Sequence, residues 1–397
     1  MIAYDPYSHE AMSDPFPLYA RLRAEAPVYY IERYDTWALL RFEDVWNVSL
    51  DQDHFTATGG QAPGQILLRE PAPHTFMTMD PPEHRIHRAL IGPEYTRRAA
   101  ERDAPRIRAL AREILAPLLE RGEMEVYSQY ANRVTTHNAG HMAGVPREDI
   151  EQVRRWIDGF LVRARGQVGT SEANAAHVVE LDGYLRELIR DRRKNPDRAS
   201  GHLATWLAAE IDGRRLDDDA IAANLFSLVV TGSETTPLSV SGALYYLAAD
   251  PDQQRLVVDD LAHVGNAFAE TLRFDQPTNL LGRRVRADVE VGGQRLQAGQ
   301  GVLLVYASAN RDEREFPDAD RFDVLRCPRR TLSFGHGVHK CLGEHLGMTM
   351  GTILLEELLE AVGAYQLDPS ACRRLYGEFL SGFNEVSIRF APTRLKD

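Results

Sequence analysis

The ten residues 334–343 read FGHGVHKCLG, and they constrain the fold more than any other part of the chain. Gly335, Gly337 and Gly343 allow backbone conformations that are closed to other residues, and they let a flat ligand approach the main chain. Cys341 stands just ahead of an apolar pattern with helical spacing, so we expect its thiol at a helix N-terminus. The helix dipole and the free N–H groups there stabilise a thiolate. The loop is therefore predicted to present a thiolate to a large planar group.

Three roles are open to Cys341: a zinc ligand, a buried structural cysteine, or a single axial ligand to haem iron. A zinc site needs other ligands nearby, but Cys327 and Cys372 lie 14 and 31 residues away and there is no CxxC. An isolated cysteine is most often a small buried hydrophobic residue. The glycine-rich pattern around Cys341 is not typical of that role, and it favours an axial thiolate to haem iron.

The pattern Phe-x-x-Gly-x-His-x-Cys-x-Gly resembles the haem-binding signature of the cytochrome P-450 haem-thiolate monooxygenases. The resemblance implies a mainly α fold with small β-sheets, with haem b between a central kinked helix and the helix that follows the cysteine loop. It makes Cys341 the metal ligand. It also implies that other residues of the loop contact the haem, namely Phe334, Gly335, His339, Leu342 and Gly343.

The chain of 397 residues is predicted to form one domain over residues 1–397. A β-rich region at about 25–60 and 283–305 is expected to pack on an α-rich core, in which helical spacing extends over about 81–247. Alternating residues at 383–390 predict a closing β-hairpin. No stretch is rich enough in Pro, Gly or Ser to separate two domains.

Composition narrows the classes of partner. The chain carries 46 basic and 58 acidic residues, a net charge of −12, which argues against nucleic acid and anionic membranes. Its three cysteines leave little scope for a disulfide framework and indicate a reducing compartment. No apolar run approaches the roughly 18 residues that a membrane span needs. We expect a cytoplasmic, monomeric protein, and the resemblance, together with the lack of an N-terminal membrane anchor, implies a bacterial-type member.

A second informative stretch reads LFSLVVTGSETTP and ends at Pro237. Pro237 has no N–H to bond the carbonyl of Ser233, and Gly232 leaves a gap in the side-chain surface, so the helix is predicted to kink or open. The resemblance places Gly232 against the haem, with Thr235 hydrogen-bonding dioxygen and Glu234 gating proton delivery. A kink whose hydroxyls bond the preceding carbonyls is the alternative.

Glu270 and Arg273 share one helix face at i,i+3 spacing. Such a pair is most often a surface ion pair that contributes little to stability. The resemblance implies instead a buried Glu-x-x-Arg network beneath the haem loop, completed by a third residue that we expect to be Arg321.

The stretch from Met79 to Arg88 contains Asp80, which is predicted to cap a helix N-terminus. The resemblance implies that basic side chains pair with the haem propionates through charge-assisted hydrogen bonds. Arg284 is the alternative to its neighbour Arg283 in that role. The residues expected to contact the propionates are His84, Arg88, Arg283 and His339.

The resemblance implies a monooxygenase that oxidises a small hydrophobic substrate, most simply a terpenoid or an aromatic compound. Peroxygenase, isomerase or dehydratase chemistry and a haem sensor without turnover are the alternatives. No GxGxxG nucleotide fingerprint is present, so electrons are expected from an iron–sulfur ferredoxin and its NAD(P)H-dependent reductase. The docking patch is predicted at Arg329, Arg330, His336 and Lys340. The substrate pocket is predicted to be apolar, with residues Phe55, Ile66, Leu67, Phe160, Leu161, Leu228, Leu281 and Phe383, and with Gln61 and Asn279 as candidate polar anchors.

Overall fold

The computed structural model describes residues 2–395, and most of the chain in that range is helical. The helices are α1 His9–Ser13, α2 Phe16–Glu25, α3 Phe42–Leu50, α4 Pro63–Leu67, α5 Glu83–Ile91, α6 Arg97–Leu119, α7 Asn132–Ala143, α8 Ile150–Leu161, α9 Glu172–Lys194, α10 Gly201–Ala208, α11 Asp218–Ala249, α12 Pro251–Asp259, α13 Val264–Phe274, α14 Tyr306–Ala309 and α15 Glu344–Val362. A buried apolar core lies among α6, α7, α11, α13 and α15. Between residues 2 and 395, no helix combines the length and the apolar character that a membrane span requires.

The strands are short and form small sheets. They are β1 Val28–Ile31, β2 Thr36–Leu39, β3 Phe55–Thr56, β4 Glu123–Glu125, β5 Glu210–Ile211, β6 Arg214–Arg215, β7 Leu281–Val285, β8 Val289–Val291, β9 Gln294–Leu296, β10 Gly301–Leu304, β11 Gln366–Leu367, β12 Arg373–Arg374, β13 Phe383–Glu385 and β14 Ser387–Arg389. The largest sheet has five strands in the order β1-β2-β10-β7-β3. It joins two distant parts of the chain through β10, which runs parallel to β2 and antiparallel to β7.

The predicted closing hairpin is wrong in its pairing. β13 pairs with β12, whereas β14 lies between β11 and β4 in another sheet. Only Val386 separates β13 from β14, and a hairpin needs a loop of at least two residues. Val386 is buried, and its N–H donates to the Glu125 carboxylate at 2.9 Å. This contact fixes the chain at the point where it passes from one sheet to the other.

The central helix α11 is buried along most of its length and stays helical through Pro237. The predicted opening at this proline is therefore not present. Pro237 leaves the carbonyl of Ser233 without its helical partner, but the Thr135 hydroxyl of α7 donates to that oxygen at 2.8 Å. A neighbouring helix thus supplies the missing hydrogen bond, and α11 has no need to open.

Glu270 and Arg273 of α13 form a fully buried ion pair, with two hydrogen bonds of 2.7 and 2.8 Å. Arg273 also donates to the carbonyls of Asn310 and Ala319, both at 2.9 Å. The expected third partner, Arg321, is wrong. Its side chain is exposed, and only its backbone carbonyl contacts the pair.

The side chain that completes the network is Arg326, whose Nε donates to Glu270 Oε1 at 3.1 Å. Arg326 also donates to the carbonyls of Pro317 and Asp318, at 2.6 and 3.0 Å. These bonds tie the segment that leads into the cysteine loop to α13. The network thereby fixes the approach to Cys341.

Candidate active site

The cysteine loop is held by backbone contacts. The N–H of Cys341 donates to the carbonyl of Phe334 at 2.8 Å, which closes the loop on itself. Gly335 and Gly337 have φ of 66° and 72°, in the left-handed region that favours glycine. A Cβ at Gly337 would lie 2.1 Å from the carbonyl oxygen of Ser49 in α3. Glycine is therefore required at this position for both its conformation and the close approach of α3.

Gly343 differs from the prediction, because its φ of −84° is open to any residue. It is the N-cap of α15, and its amide hydrogen-bonds the Cys341 sulfur. Desolvation raises the pKa of the Cys341 thiol, although the Gly343 amide and the Arg88 guanidinium lower it in part. The Gly343 amide and the Arg88 guanidinium favour the thiolate, and coordination to a metal cation would also deprotonate the thiol.

We expect Gly337→Ala to lower the free energy of unfolding more than Gly213→Ala does. Gly213 has nearly the same φ, 73°, but a Cβ there would meet nothing within 4 Å. Forcing alanine into the left-handed region costs about 1–2 kcal/mol at either site. The clash with Ser49 adds about 1–3 kcal/mol at Gly337 alone. Denaturant titration of the two variants measures the difference, and equal losses would contradict the contact with α3.

Helix α5 brings His84 and Arg88 to one side of the cysteine loop. The predicted N-cap is wrong, because the Asp80 carboxylate instead accepts hydrogen bonds from Thr56 and from the N–H of Ala57. Asp80 therefore ties α5 to β3. Arg88 Nη2 donates to the carbonyl of Lys340 at 2.7 Å. This bond links α5 to the residue before Cys341.

The groups around the loop form a basic cradle with unmet hydrogen-bonding capacity. His84 and His339 lie with ring centroids 4.5 Å apart. Among residues 2–395, both ring nitrogens of His84 and Nε2 of His339 have no partner. Desolvation and neighbouring cations lower the pKa of His84 to about 4 and that of His339 to about 2. An adjoining cavity of about 360 Å³ is lined by His84, Arg85, Arg88, Ala89, Gly92 and Val338.

The side of α11 that carries Thr231 and Gly232 is exposed, in contrast to the rest of this buried helix. The Thr231 hydroxyl donates to the carbonyl of Ser227 at 2.8 Å, as the alternative of hydroxyl-to-carbonyl bonding predicted for this stretch. Gly232 also admits α7, because a Cβ there would lie 3.2 Å from the Ala139 side chain. Thr235 is half-buried one turn further on.

Glu234 is buried and makes two contacts that sequence reasoning missed. Its Oε2 accepts from the Tyr127 hydroxyl at 2.5 Å, and its Oε1 accepts from Asn132 Nδ2 at 3.2 Å. Burial raises the pKa of Glu234 to about 7. The carboxyl can therefore gain and lose a proton near neutral pH, which general acid–base chemistry requires. No motif marks Tyr127 or Asn132, because both lie about 100 residues before Glu234.

Comparisons with known proteins agree with this geometry. The cytochrome P450 family profile matches residues 169–268 and 258–363. A putative cytochrome P450 123 of Mycobacterium bovis is 31% identical over 392 residues, covering 98% of this chain and 96% of that protein. The chain belongs to the cytochrome P450 family.

This cytochrome P450 is also 33% identical to the vitamin D(3) 25-hydroxylase of Pseudonocardia autotrophica over 399 residues, 98% of this chain and 97% of that protein. Its fold matches the crystal structure of CYP109E1 from Bacillus megaterium in complex with testosterone, with a TM-score of 0.86 and 26% identity. That match covers 96% of this chain and 99% of the other. The chain is thus a cytochrome P450 monooxygenase.

The haem b of cytochrome P450 proteins fits the basic cradle. Its two propionate carboxylates are acceptors that could take the imidazole N–H of His84 and that of His339. Arg283 is 5% exposed and donates to the carbonyl of its neighbour Gly282 at 2.7 Å, so most of its guanidinium can serve an anion. Arg284 is half-buried and donates to the carbonyl of Gln65 at 2.9 Å. The alternation of β7 thus turns Arg283, and not Arg284, into the interior of this cytochrome P450.

We expect Arg283→Met to speed haem loss and Arg284→Met to leave it nearly unchanged. A charge-assisted hydrogen bond to a carboxylate is worth about 1.5–3 kcal/mol, which corresponds to a rate increase of about 10- to 100-fold. The rate of haem transfer to excess apomyoglobin measures the effect. Faster transfer from the Arg284 variant than from the Arg283 variant would reverse the assignment.

Several residues predicted to line the substrate pocket of this cytochrome P450 have structural contacts. Phe383 stacks on Tyr245 with ring centroids 4.0 Å apart, within the core. Asn279 accepts from the Tyr19 hydroxyl and donates to the carbonyl of Glu378, at 3.0 and 2.9 Å. Gln61 donates to the carbonyl of Met77. The amide groups of Asn279 and Gln61 are thus engaged by the protein itself.

Proposed function

We propose that this cytochrome P450 monooxygenase hydroxylates a terpenoid-class substrate, with a fused-ring steroid or secosteroid as the best candidate, using electrons supplied by a ferredoxin. The observation that carries the oxygenase chemistry is the buried carboxyl of Glu234, the residue before Thr235. Burial raises the pKa of this carboxyl to about 7, so it can titrate near neutral pH. Haem, when bound, supplies the electron and oxygen chemistry.

The residues of this chain supply position, charge and protons. Cys341 would hold the iron, and His84, Arg88, Arg283 and His339 would fix the propionates. Glu234 would hold a proton on its carboxyl and release it toward Thr235. Most of α11 is buried, which limits the entry of water to the site.

Support for the substrate class comes from relatives. One relative is named a vitamin D(3) 25-hydroxylase, and solved structures of CYP109E1 contain testosterone or corticosterone. These ligands share a large apolar ring skeleton. The predicted pocket residues of this chain are also mainly apolar. A binding screen with testosterone, corticosterone and vitamin D(3) therefore comes first, with the haem spin-state shift as its readout.

The decisive experiment is turnover of the best binder with ferredoxin, ferredoxin reductase and NADPH under ¹⁸O-labelled dioxygen. Incorporation of one labelled oxygen atom per product molecule would establish the monooxygenase reaction on that substrate. A product without label would indicate isomerase or dehydratase chemistry. Product formed only with hydrogen peroxide would indicate a peroxygenase.

Support for a ferredoxin partner comes from basic residues near the cysteine loop. Part of their charge is compensated, because Lys340 pairs with Glu344 and Arg330 pairs with Glu315 and Glu43. Arg329 is exposed beside them. The KM for ferredoxin should rise in Arg329→Glu and lose part of its salt dependence.

We also expect the protein to act as a monomer in the cytoplasm.

A further inference from the structure

We propose that Tyr127 and Asn132 form the solvent-side half of the proton supply, in which Tyr127 reloads Glu234 with protons from the protein surface. The inference rests on the proposed role of Glu234 in the oxygenase reaction. Tyr127 would pass protons, and Asn132 would act as a positioning residue. Neither side chain belongs to a sequence motif of this chain.

The contacts place Tyr127 between Glu234 and the surface. Its hydroxyl donates to Glu234 Oε2 at 2.5 Å, and its side chain as a whole is only half-buried. Asn132 donates from Nδ2 to Glu234 Oε1 at 3.2 Å and lies 3.4 Å from the Tyr127 hydroxyl. The two donors therefore occupy both carboxylate oxygens. Of these two donors the Tyr127 hydroxyl can pass a proton to Glu234, whereas an amide is a poor carrier because it does not titrate.

The local fold holds Tyr127 in this position. It begins a π-helical turn, Tyr127–Ala131, which leads into α7. Glu125 accepts from the N–H of Tyr127 at 3.0 Å and from the N–H of Ser128 at 2.5 Å, so the start of the turn is capped. Tyr130, in the same turn, donates its hydroxyl to the carbonyl of Leu354. π-Helical turns are rare and occur often at functional sites.

Charged residues of α8 act electrostatically on Tyr127 and Glu234. Arg154 and Asp158 form an ion pair of 2.9 Å, and the Asp158 side chain is 40% exposed. Asp158 raises the pKa of both Tyr127 and Glu234, and Arg154 lowers that of Glu234. The groups that act on the Glu234 carboxyl are therefore Tyr127, Asn132, Asp158 and Arg154. The partly exposed Asp158 carboxylate can accept protons from solvent, and these protons can then pass to Tyr127.

The transfer balances without any other reactant. The Glu234 carboxyl gives its proton to the acceptor in the active site, and the Tyr127 O–H bond then breaks as its proton passes to Glu234 Oε2. The Tyr127 oxygen takes a new proton from solvent on the Asp158 side. Tyr127 and Glu234 both return to their starting state, and one proton has moved inward.

The test compares Tyr127→Phe with Tyr184→Phe. Tyr184, on α9, is a matched control because its hydroxyl also donates to a carboxylate, Asp149 Oδ2, at 2.6 Å. The carbon-monoxide spectrum first shows that both variants fold and hold haem. Oxygen consumption with ferredoxin and reductase is then measured in H₂O and D₂O, with and without testosterone as the probe. Infrared titration of the Glu234 carboxyl, identified by its loss in Glu234→Gln, provides a readout that does not depend on turnover.

We expect Tyr127→Phe to consume oxygen at about one tenth of the wild-type rate or more slowly still. Its solvent isotope effect should be larger than that of the wild type. The infrared midpoint of Glu234 should rise above the wild-type value, because the hydroxyl that stabilises the ionised form is gone. Tyr184→Phe should match the wild type in all three measurements. A Tyr127 variant with wild-type oxygen consumption and isotope effect would overturn the inference. If the wild type itself consumes no oxygen, the proposed function fails, and that result is distinct from failure of the Tyr127 route alone.

Discussion

In Cys341→His, we expect the reduced protein with bound carbon monoxide to lose the strongly red-shifted Soret band that an axial thiolate produces. A thiolate donates electron density to the iron, whereas an imidazole is a neutral ligand. The cradle of His84, Arg88 and Arg283 is intact in this variant, so haem should still bind. The measurement is the difference spectrum between the carbon-monoxide complex and the reduced protein. Turnover under labelled dioxygen should be lost together with the band.

The two other cysteines provide controls for this prediction. Cys327 is exposed and Cys372 is half-buried, and neither lies in the glycine-rich loop. Cys327→Ser and Cys372→Ser should both keep the red-shifted band. Survival of the band in Cys341→His, or its loss in either serine variant, would show that another residue holds the iron. The single-thiolate assignment would then be wrong.

The fold class could be predicted from sequence because its signals are local. The loop around Cys341 and the i,i+3 pair of Glu270 and Arg273 each occupy a few consecutive residues, and each was confirmed as part of a cytochrome P450 fold. The strands of the five-stranded sheet lie within 28–56 and 281–304, close to the β-rich region expected at about 25–60 and 283–305. What a short stretch does within itself can be inferred from its own residues.

Contacts between distant segments could not be predicted in the same way. Pro237 was predicted to kink or open α11, but the helix continues through it, and Thr135, about 100 residues earlier, bonds the carbonyl of Ser233. The same limit hid Tyr127 and Asn132 from the analysis of Glu234. Such partners depend on how helices pack, and a single sequence does not record which polar groups meet across an interface.

The buried network around Glu270 is the second large effect that we expect. Arg273→Ala should lower the free energy of unfolding by about 3–5 kcal/mol, because it leaves the Glu270 carboxylate buried without its main partner. It also removes the donors to the Asn310 and Ala319 carbonyls. Denaturant unfolding of the haem-bound protein measures the change as a lower midpoint at constant slope.

Alanine variants of Arg326 and Arg321 test whether this loss of stability comes from the network or only from the removal of one positive charge. Arg326→Ala should cost about 1.5–3 kcal/mol, because its guanidinium reaches Glu270 Oε1 at 3.1 Å with only 11% of the side chain exposed. Arg321→Ala should change stability by no more than about 0.5 kcal/mol, since its side chain lies in solvent. An Arg321 loss as large as that of Arg326 would contradict the structure and restore the partner predicted from sequence. We expect the loss of stability to decrease in the order Arg273, Arg326, Arg321. The three side chains are increasingly exposed, and only the buried ones help to neutralise the Glu270 carboxylate.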